Sequence, residues 1–371
     1  MKKIAILAPY VGTVNRGAET FVIELTKKLS NYFDVDVYTL KREATIEKNL
    51  CIVDVDMGVL FNIHNKIYLK SKLYRKIINK FYYLIPDVIF QKKFTKMAFR
   101  EIESREYDLL FPNNGVWGAK YAAKYREKNG VPFVYTGHGG IGIGERYIIE
   151  TSPNAYICLT HKHFLWASEI KSNKFMQLCI IPNGVCINNF KSLNKIKKEK
   201  HTILSVGALT EFKRHELTIK AVSKIPNVNL VILGKGEEEK YLKNLADLYL
   251  PNRCLITSVE YERVIQYYSL ADLFVLPSRE EPFGIVYLEA MASNLPIVSP
   301  DDSQRREIIN NAGLFCNVEN IEEYAETIRS ALNIDWKDIP FKRAQKYDWN
   351  NIATMYQTLF DKVIKNKGMG I

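Results

Sequence analysis

Short apolar runs and amphipathic segments alternate along the first half of the chain. Lys3 to Pro9 and Val35 to Leu40 have the length and composition of buried strands, and Ala18 to Tyr32 between them has helical periodicity. The apolar stripe of that helix consists of Phe21, Val22, Leu25, Leu29 and Phe33. The alternation continues with strand-like runs at 109–111, 133–136 and 155–159 and a helix near 119–128. This order of elements predicts a doubly wound, parallel sheet.

The pattern restarts after a lysine-rich polar stretch, Lys191 to His201, which we interpret as a linker. The predicted strands beyond it are 202–206, 228–233, 255–258, 273–276 and 296–299, and the predicted helices are 216–223 and 237–250. We therefore predict two Rossmann-like domains, over residues 1–190 and 201–349. A last amphipathic helix in residues 350–371 is free to pack on either domain, including back on the first.

Length and composition agree with a two-domain globular protein. The chain has 371 residues, of which 47% are hydrophobic and 25% charged. The apolar run at the N-terminus is short and lacks a small-residue cleavage site, so it is interpreted as a buried strand and not as a signal peptide. No stretch approaches the roughly 20 apolar residues of a membrane-spanning helix. The six cysteines have no paired or metal-binding spacing, which favours reduced thiols and a cytoplasmic location.

The net charge of +11 is concentrated in residues 61–100, which carry ten cations and the single anion Asp87. Aromatic and aliphatic residues are interleaved with these cations. Such a segment can lie on an anionic membrane surface, so that the protein would be peripheral on the inner face of the cell membrane. It can equally be the lysine-rich face of an ordinary helix whose aromatic residues fill a core, and both interpretations stay open. Nucleic acid is not expected as a partner, because no recognition motif accompanies the charge.

The most specific motif is the string Leu276-Pro-Ser-Arg-Glu-Glu-Pro-Phe-Gly-Ile-Val-Tyr-Leu-Glu-Ala-Met-Ala. It predicts a strand, a loop and a helix that begins near Phe283 or Gly284. The amide groups at a helix start lack intrahelical partners and carry the positive end of the helix dipole, which suits a phosphate. Glu281 precedes the helix and Glu289 lies inside it. Two glutamates eight residues apart are, by themselves, more often a helix-terminal acid and a surface residue.

With its flanking residues, the string resembles the donor-binding motif of the retaining GT4 glycosyltransferases, which have the GT-B fold. Glu281, Phe283, Gly284 and Glu289 match this Glu-x7-Glu motif. The resemblance implies an α/β chain with two Rossmann-like, parallel-sheet domains facing a central cleft. It also implies that Glu281 and the backbone of Phe283 to Ile285 hold the donor sugar and the distal phosphate, while Glu289 holds the ribose.

A second passage, Val206-Gly-Ala-Leu-Thr-Glu-Phe-Lys-Arg, resembles the phosphate-binding loop of the same family. Lys213 lies at the position of the lysine that neutralises the diphosphate, where a fixed cation would stabilise the leaving group. The family often has an arginine directly after the glycine, and this chain has Ala208 there. Arg214 is the candidate to replace that missing cation. Without the resemblance, Lys213 and Arg214 would be interpreted as a solvated loop.

Further matches extend the resemblance over nearly the whole chain. The segment Gly12-Thr-Val-Asn-Arg-Gly-Ala-Glu-Thr resembles the family's Gly-Gly-Ala-Glu loop, so Gly12 and Gly17 are predicted to approach the diphosphate. The resemblance also implies that the loop of Gly234 helps to hold the nucleotide base. His138 follows a strand of the first domain and matches the histidine over the donor sugar. The Pro-Asn-Gly segment between the domains is also present, at 182–184.

Several other motifs are discounted. The string Gly137-His-Gly-Gly-Ile-Gly has the form of a dinucleotide-binding loop, but no acidic residue follows at the end of the next strand. Two Asp-x-Asp strings, Asp34/Asp36 and Asp54/Asp56, have the form of a metal site in transferases of another fold. They lie in strand-like segments, and we expect them at the surface. The expected chemistry needs no metal and no cofactor other than the nucleotide sugar as donor substrate.

The leading hypothesis is a retaining hexosyltransferase of surface polysaccharide biosynthesis, with His138, Glu281 and Lys213 as catalytic residues. Its donor is a nucleotide diphosphate sugar, with GDP-mannose slightly favoured over a UDP-hexose, and its acceptor is a glycan or a lipid-linked glycan. Two alternatives stay open. One is a nucleotide-sugar epimerase of the same fold, which would need no acceptor. The other is a non-catalytic binding protein, which should have lost the donor-site residues.

Overall fold

The computed structural model describes residues 1–11, 17–40, 50–52, 86–113, 115–170, 176–190, 200–279 and 281–368. The chain forms two compact units, Met1–Pro182 together with Ile352–Ile371, and Asn183–Asn351. Each unit has parallel strands flanked by helices, so the prediction of two Rossmann-like α/β domains is confirmed. The second unit begins earlier than the predicted linker, because Val185 exchanges backbone hydrogen bonds of 2.8 and 3.2 Å with Tyr347 and Trp349.

The first unit has parallel strands in the order β3-β2-β1-β4 and β5-β6-β7. A parallel bridge between Leu110 and Phe133 connects the two groups, and the amide of Leu110 donates to the carbonyl of Pro132 at 3.0 Å. The strands are β1 Lys3–Leu7, β2 Asp34–Thr39, β3 Leu50–Ile52, β4 Leu109–Pro112, β5 Val134–Thr136, β6 Ala155–Cys158 and β7 Gln177–Ile180.

Helices follow the strands of the first unit, as the amphipathic segments predict. They are α1 Gly17–Leu29, α2 Pro86–Ile102, α3 Val116–Asn129, α4 Ile143–Ile149 and α5 His161–Glu169. Local sequence fixes two of their ends. Thr160 caps α5 by accepting a hydrogen bond from the amide of His163, and Gly130 ends α3 in the left-handed conformation with φ 68°.

The C-terminal helix, Trp349–Lys365, adds most of its length to the first unit. The Tyr356 ring lies 5.7 Å from that of Phe21 and 5.9 Å from that of Phe111, and the Phe360 ring lies 5.2 Å from that of Phe111. The hydroxyls of Tyr356 and Thr136 are hydrogen-bonded at 3.0 Å. The apolar stripe of this helix therefore completes the core of the first unit.

The second unit is a six-stranded parallel sheet in the order β10-β9-β8-β11-β12-β13. Its strands are β8 His201–Val206, β9 Val228–Leu233, β10 Cys254–Thr257, β11 Leu273–Val275, β12 Ile297–Pro300 and β13 Gly313–Cys316. On one side of the sheet β9 and β10 follow β8, and on the other side β12 and β13 follow β11. The strand order therefore reverses between the neighbours β8 and β11. Ligands of open α/β sheets bind in the crevice at such a switch point, beyond the carboxyl ends of the strands.

In the described part of the second unit, seven helices lie between and after these strands. They are α6 His215–Ser223, α7 Glu239–Tyr249, α8 Tyr261–Leu270, α9 Ile285–Ala292, α10 Ser303–Ile309, α11 Ile321–Asn333 and α12 Ile339–Gln345, and the C-terminal helix above is α13. Asp302 caps α10 by accepting hydrogen bonds from the amides of Gln304 and Arg305. Asn320 caps α11 in the same way through the amide of Glu323.

One expectation about exposed residues is wrong. Asp36 was expected at the surface, but it is buried and its carboxylate accepts hydrogen bonds from Tyr107 at 2.6 Å and Arg105 at 3.1 Å. Strand β2 lies inside a parallel sheet that is covered on both faces, so strand alternation does not place Asp36 in solvent. In residues 61–100, Phe90 and Phe94 are buried in the core, and so these two rings are not available to a lipid interface.

Searches of the described residues found neither a helix long and apolar enough to cross a membrane nor a cluster of three metal-ligating side chains. Asp54 and Asp56 lie outside the described residues, as do residues 61–85 of the basic segment.

Candidate functional site

Two loops of the second unit meet at the switch point of its sheet. Lys213 follows β8, and Glu281 follows β11, the strand next to β8. The Lys213 ammonium donates to the Glu281 carboxylate in an ion pair between residues 68 positions apart. Their side chains are 22% and 12% exposed, so the pair is partly shielded from water but open on one side. The structure thus brings together a cation and an anion that the sequence assigns separately to the donor site.

The helix beside this pair begins after a glycine in the left-handed conformation. Gly284 has φ 85° and precedes Ile285, the first residue of α9. A Cβ atom at Gly284 would lie 2.6 Å from the ring of Tyr287 and 2.9 Å from Cγ of Glu281, so only glycine fits without rearrangement. Phe283 is buried, with its ring 6.2 Å from that of Tyr347. The first amides of α9 and their partial positive charge therefore lie beside Lys213 and Glu281.

Glu289 lies inside α9 and is a buried carboxylate. Its Oε2 accepts a hydrogen bond of 2.8 Å from the hydroxyl of Tyr268, which is itself buried on α8. The interpretation of Glu289 as an ordinary surface residue is therefore wrong. Its predicted role at the ribose stays a prediction.

An arginine that the sequence analysis missed fixes the loop before α9. Arg305 is buried and donates to the carbonyl of Ser278 at 2.6 Å, to the Ser278 hydroxyl at 2.9 Å and to the Tyr287 hydroxyl at 3.1 Å. Asp302 neutralises its charge through an ion pair. Tyr287 in turn donates to the carbonyl of Leu276 at 3.3 Å. Arg305 thereby connects both ends of the loop that carries Glu281.

Arg214 lies beside Lys213, but its guanidinium is directed into the protein. It is a left-handed residue, φ 54°, at the start of α6, and its side chain is buried. It donates to the carbonyl of Pro277 at 2.7 Å and to Glu319 at 2.7 Å. The donor-binding role predicted for Arg214 stays a prediction, and it would require these bonds to rearrange. In the present arrangement, Arg214 attaches the Lys213 loop to the Glu281 loop.

The histidine that follows Arg214 is neutral and supports the same loop. His215 is buried, and its Nδ1 lies 3.2 Å from the hydroxyl of Ser205 on β8. Burial, together with the nearby Lys213 ammonium, lowers the pKa of His215 to about 4. His215 therefore adds no positive charge beside Lys213.

Gly234 follows β9 and packs against the loop after β8. A Cβ at Gly234 would overlap the carbonyl oxygen of Gly207. The Gly234 amide donates to Thr257 at 2.9 Å, and the amide of Leu209 donates to the carbonyl of Lys235 at 3.0 Å. Close packing of the two loops explains the glycine, and contact with the nucleotide base stays a prediction.

The first unit holds the other predicted site residues. Gly17 begins α1, and Phe21 on the next turn contacts the imidazole of His138, with ring centroids 4.3 Å apart. His138 lies in the loop after β5, and its Nε2 is buried without a hydrogen-bond partner among the described residues. Burial and the neighbouring His163 lower the pKa of His138 to about 3, so the ring is neutral. Gly12 lies outside the described residues.

Comparisons with known sequences extend over part of the chain. Residues 187–349 match the family model described as glycosyl transferases group 1. An uncharacterized glycosyltransferase of Haemophilus influenzae is 32% identical over 210 residues, which is 54% of this chain and 58% of that protein. A phosphatidyl-myo-inositol mannosyltransferase of Mycolicibacterium smegmatis is 27% identical over 207 residues, 52% of this chain and 53% of that protein. The matched segments thus span about half the length of these relatives.

Solved structures match over nearly the full length. Sucrose-phosphate synthase of Thermosynechococcus elongatus superposes with a TM-score of 0.78 at 19% identity, and covers 98% of this chain and 100% of that one. HepE of Anabaena, in complex with UDP and glucose, superposes with a TM-score of 0.72 at 16% identity over the same shares. The chain therefore has the GT-B fold of two Rossmann-like domains, and its residues 187–349 match the glycosyl transferases group 1 family.

Proposed function

We propose that this protein is a metal-independent, retaining glycosyltransferase of the GT4 family, which moves a hexose from a nucleotide diphosphate sugar to a glycan or lipid-linked glycan. The observation that carries the proposal is the meeting of Lys213 and Glu281 at the switch point of the second sheet, beside the start of α9. A cation and helix amides suit a diphosphate, and a carboxylate suits sugar hydroxyls. The two neighbouring loops and the start of α9 thus offer partners for both halves of the donor.

The leaving diphosphate gains negative charge as the glycosidic bond breaks. In this proposal, the Lys213 ammonium and the first amides of α9 receive that charge, since both are fixed before the reaction begins. Lys213 turns from Glu281 toward the phosphate when the donor binds. No metal ion is needed for this step, and transfer should persist in a chelating buffer.

The remaining residues orient the reactants. Glu281 accepts hydrogen bonds from hydroxyls of the donor sugar, and Glu289, already held by Tyr268, accepts from the ribose. The neutral imidazole of His138 hydrogen-bonds on the acceptor side of the sugar. The departing phosphate oxygen takes the proton of the attacking hydroxyl, so the anomeric configuration is retained without a covalent enzyme intermediate. Positioning and charge stabilisation are the contributions of the protein.

The donor is a GDP- or UDP-linked hexose. The string Phe212-Lys213-Arg214 resembles that of some mannosyltransferases, and a mannosyltransferase is among the relatives, which favours GDP-mannose. HepE, which was solved with UDP and glucose, makes UDP-glucose the second candidate.

The acceptor is a glycan of surface polysaccharide biosynthesis, and its lipid-linked form would lie at the inner face of the cell membrane. Helix α2 presents the exposed cations Lys92, Lys93 and Lys96 over a buried aromatic core. Lys92 also lies 4.5 Å from the ring of Trp117. We infer that this face gives the protein an electrostatic contact with anionic lipids, because the described aromatic residues of the segment are used inside the protein.

A donor panel tests the proposal. Thermal unfolding of the purified protein is measured with GDP-mannose, UDP-glucose and other GDP- and UDP-sugars in EDTA. A donor that binds only the folded state must raise the melting temperature. The expected result is a rise with one nucleotide class that is lost in Lys213→Ala and kept in Lys224→Ala, an exposed lysine of the same unit. If no donor raises the melting temperature, even with Mg²⁺ or Mn²⁺, the proposed function is wrong.

A binding result does not by itself distinguish a transferase from a nucleotide-sugar epimerase. Product analysis does, because an epimerase converts or hydrolyses its donor without an acceptor. A transferase releases nucleoside diphosphate in proportion to glycosylated acceptor, and the new linkage keeps the anomeric configuration of the donor.

A further inference from the structure

The loop that carries His138 lies on a buried polar cluster of the first unit. Glu145, on the first turn of α4, is buried, and its hydrogen-bond partners, Gly139 and Tyr156, are both neutral. Its Oε1 accepts a hydrogen bond of 2.8 Å from the amide of Gly139, the residue after His138. Its Oε2 accepts a hydrogen bond of 2.7 Å from the hydroxyl of Tyr156 on β6. One carboxylate therefore joins the glycine-rich loop to the neighbouring strand.

The cluster continues to a third element. The Tyr156 hydroxyl lies 3.1 Å from Nε2 of His163 on α5. Burial lowers the pKa of His163 to about 4, so its ring is neutral, and Nε2–H can donate to Tyr156 while Tyr156 donates to Glu145. In this arrangement the hydrogen bonds run from His163 to Tyr156 and from Tyr156 to Glu145. Nδ1 of His163 is buried without a hydrogen-bond partner among the described residues, so the network ends at this ring.

The loop is shaped to lie directly on this cluster. A Cβ at Gly137 would overlap the Tyr156 hydroxyl and would lie 2.5 Å from Cε1 of His163. The amide of Gly137 donates to the carbonyl of Ile157 at 2.9 Å. Residues 137 and 139 are thus fixed on either side of His138, while Phe21 contacts its ring.

We propose that Glu145 is the positioning residue of the loop Gly137–Gly140 and, through that loop, of the imidazole of His138. The role of His138 in transfer belongs to the proposed function, and the role of Glu145 rests on it. Without the carboxylate, the amide of Gly139 would lose its hydrogen-bond partner in the protein, and the loop would lose its attachment to α4. His138 would then lose the orientation in which it meets the sugar, although the donor site of the second unit would be unchanged.

Two variants of similar volume separate the hydrogen bonds from the charge. Glu145→Gln keeps an acceptor for Gly139 and a group that can donate to Tyr156, whereas Glu145→Leu keeps neither. We expect Glu145→Gln to stay within about threefold of wild-type kcat and Glu145→Leu to lose more than tenfold, with the donor dissociation constant unchanged in both. A kcat of Glu145→Leu within threefold of wild type would overturn the proposal, and so would an equal loss in Glu145→Gln.

Hydrogen exchange tests the positioning without any transfer assay. The peptide amides of residues 137–142 should exchange at least tenfold faster in Glu145→Leu than in wild type, and at the wild-type rate in Glu145→Gln. Peptides of the second unit serve as the internal control. Unchanged exchange of the loop in Glu145→Leu would show the positioning inference to be wrong. If exchange responds as expected while no donor is used, the proposed function fails and the structural inference stands.

Discussion

Lys213 and Glu281 form an ion pair across the point at which the strand order of the second sheet reverses. Each residue follows one of the two neighbouring strands β8 and β11, so the pair depends on the topology of the sheet and not on proximity in sequence. In the structure, Glu281 is the anionic partner of the Lys213 ammonium. In the proposed function, a phosphate of the donor takes that place. If the proposed function is right, the carboxylate and the diphosphate compete for one ammonium group.

This competition predicts opposite effects for two substitutions. Glu281→Gln should tighten the binding of free UDP or GDP, because it releases Lys213 and removes a neighbouring negative charge. Lys213→Ala should weaken the same binding by roughly 10- to 100-fold, the range of a lost charge-assisted hydrogen bond. Both variants should transfer sugar more than tenfold slower than wild type. Titration calorimetry with the nucleotide measures the first effect, and weaker nucleotide binding in Glu281→Gln would contradict this account.

A methyl group at Gly284 should damage the donor site. Gly284→Ala places a Cβ at φ 85° and against the ring of Tyr287, so both backbone strain and a clash oppose it. We expect it to lower the free energy of unfolding by about 1–3 kcal/mol and to abolish nucleotide binding. Denaturant unfolding and calorimetry measure the two effects.

Gly130→Ala is the matched control for this substitution. Gly130 also has positive φ, 68°, but nothing lies within 4 Å of its added Cβ. It should show the strain of about 1 kcal/mol without the clash, and normal nucleotide binding. Equal losses of nucleotide binding in both variants would mean that strain alone, and not the shape of the α9 start, explains the effect.

Arg305 should be needed for the shape of the loop that carries Glu281. Arg305→Met removes the hydrogen bonds to Ser278 and Tyr287 and the ion pair with Asp302, which should cost about 2–4 kcal/mol of folding free energy. Nucleotide binding should fall with it. Arg306→Met is the control, because Arg306 is exposed and pairs with Asp301 at the surface. Loss of stability in both variants to the same extent would contradict a specific role of Arg305.

Periodicity predicted most of the regular structure. The predicted strand 228–233 agrees with β9, and the predicted helix 216–223 agrees with α6 to within one residue. Buried strands and amphipathic helices have strong local signals, which explains this success. The domain boundary was less accurate, because Val185 pairs with Tyr347 and Trp349 far along the chain and no local signal encodes that pairing.

Motif resemblance found the residues of the candidate site but not their arrangement. The sequence marked Lys213 and Glu281 separately, and only the strand order places them together. Arg305 carries no motif, since one arginine in a polar segment looks like a surface residue. Glu145 also carries no motif, and its hydrogen-bond partners Tyr156 and Gly139 lie on other elements. Buried charges are fixed by tertiary contacts, which local patterns do not contain.

The basic face of α2 should bind anionic vesicles. The triple substitution of Lys92, Lys93 and Lys96 by Ala removes three charges, each worth about 1 kcal/mol near an anionic surface, so partition should fall by roughly 100-fold at low salt. Sedimentation with phosphatidylserine vesicles measures it. The control replaces the exposed lysines Lys224, Lys240 and Lys243 of the second unit. Equal binding of wild type and the α2 variant would show that this face makes no membrane contact.

Glu145 should make the free energy of unfolding depend on pH. Burial raises its pKa from 4.5 to about 7, although the hydrogen bonds from Tyr156 and Gly139 act to lower it. Between pH 4.5 and about pH 7, the Glu145 carboxyl keeps a proton in the folded protein that it has released in the unfolded chain. The free energy of unfolding contributed by this group therefore falls as the pH rises from about 4.5 to 7, and is constant above that.

The size of this effect is on the order of 1–3 kcal/mol. Other groups titrate in the same range, since burial also lowers the pKa of His163 to about 4, which destabilises the protein in acid. The difference between wild type and Glu145→Gln isolates Glu145, because both proteins share those groups. Relative to the variant, wild type should lose stability from pH 5 to pH 7 in denaturant unfolding. A difference that does not change with pH would mean that Glu145 titrates near its ordinary pKa.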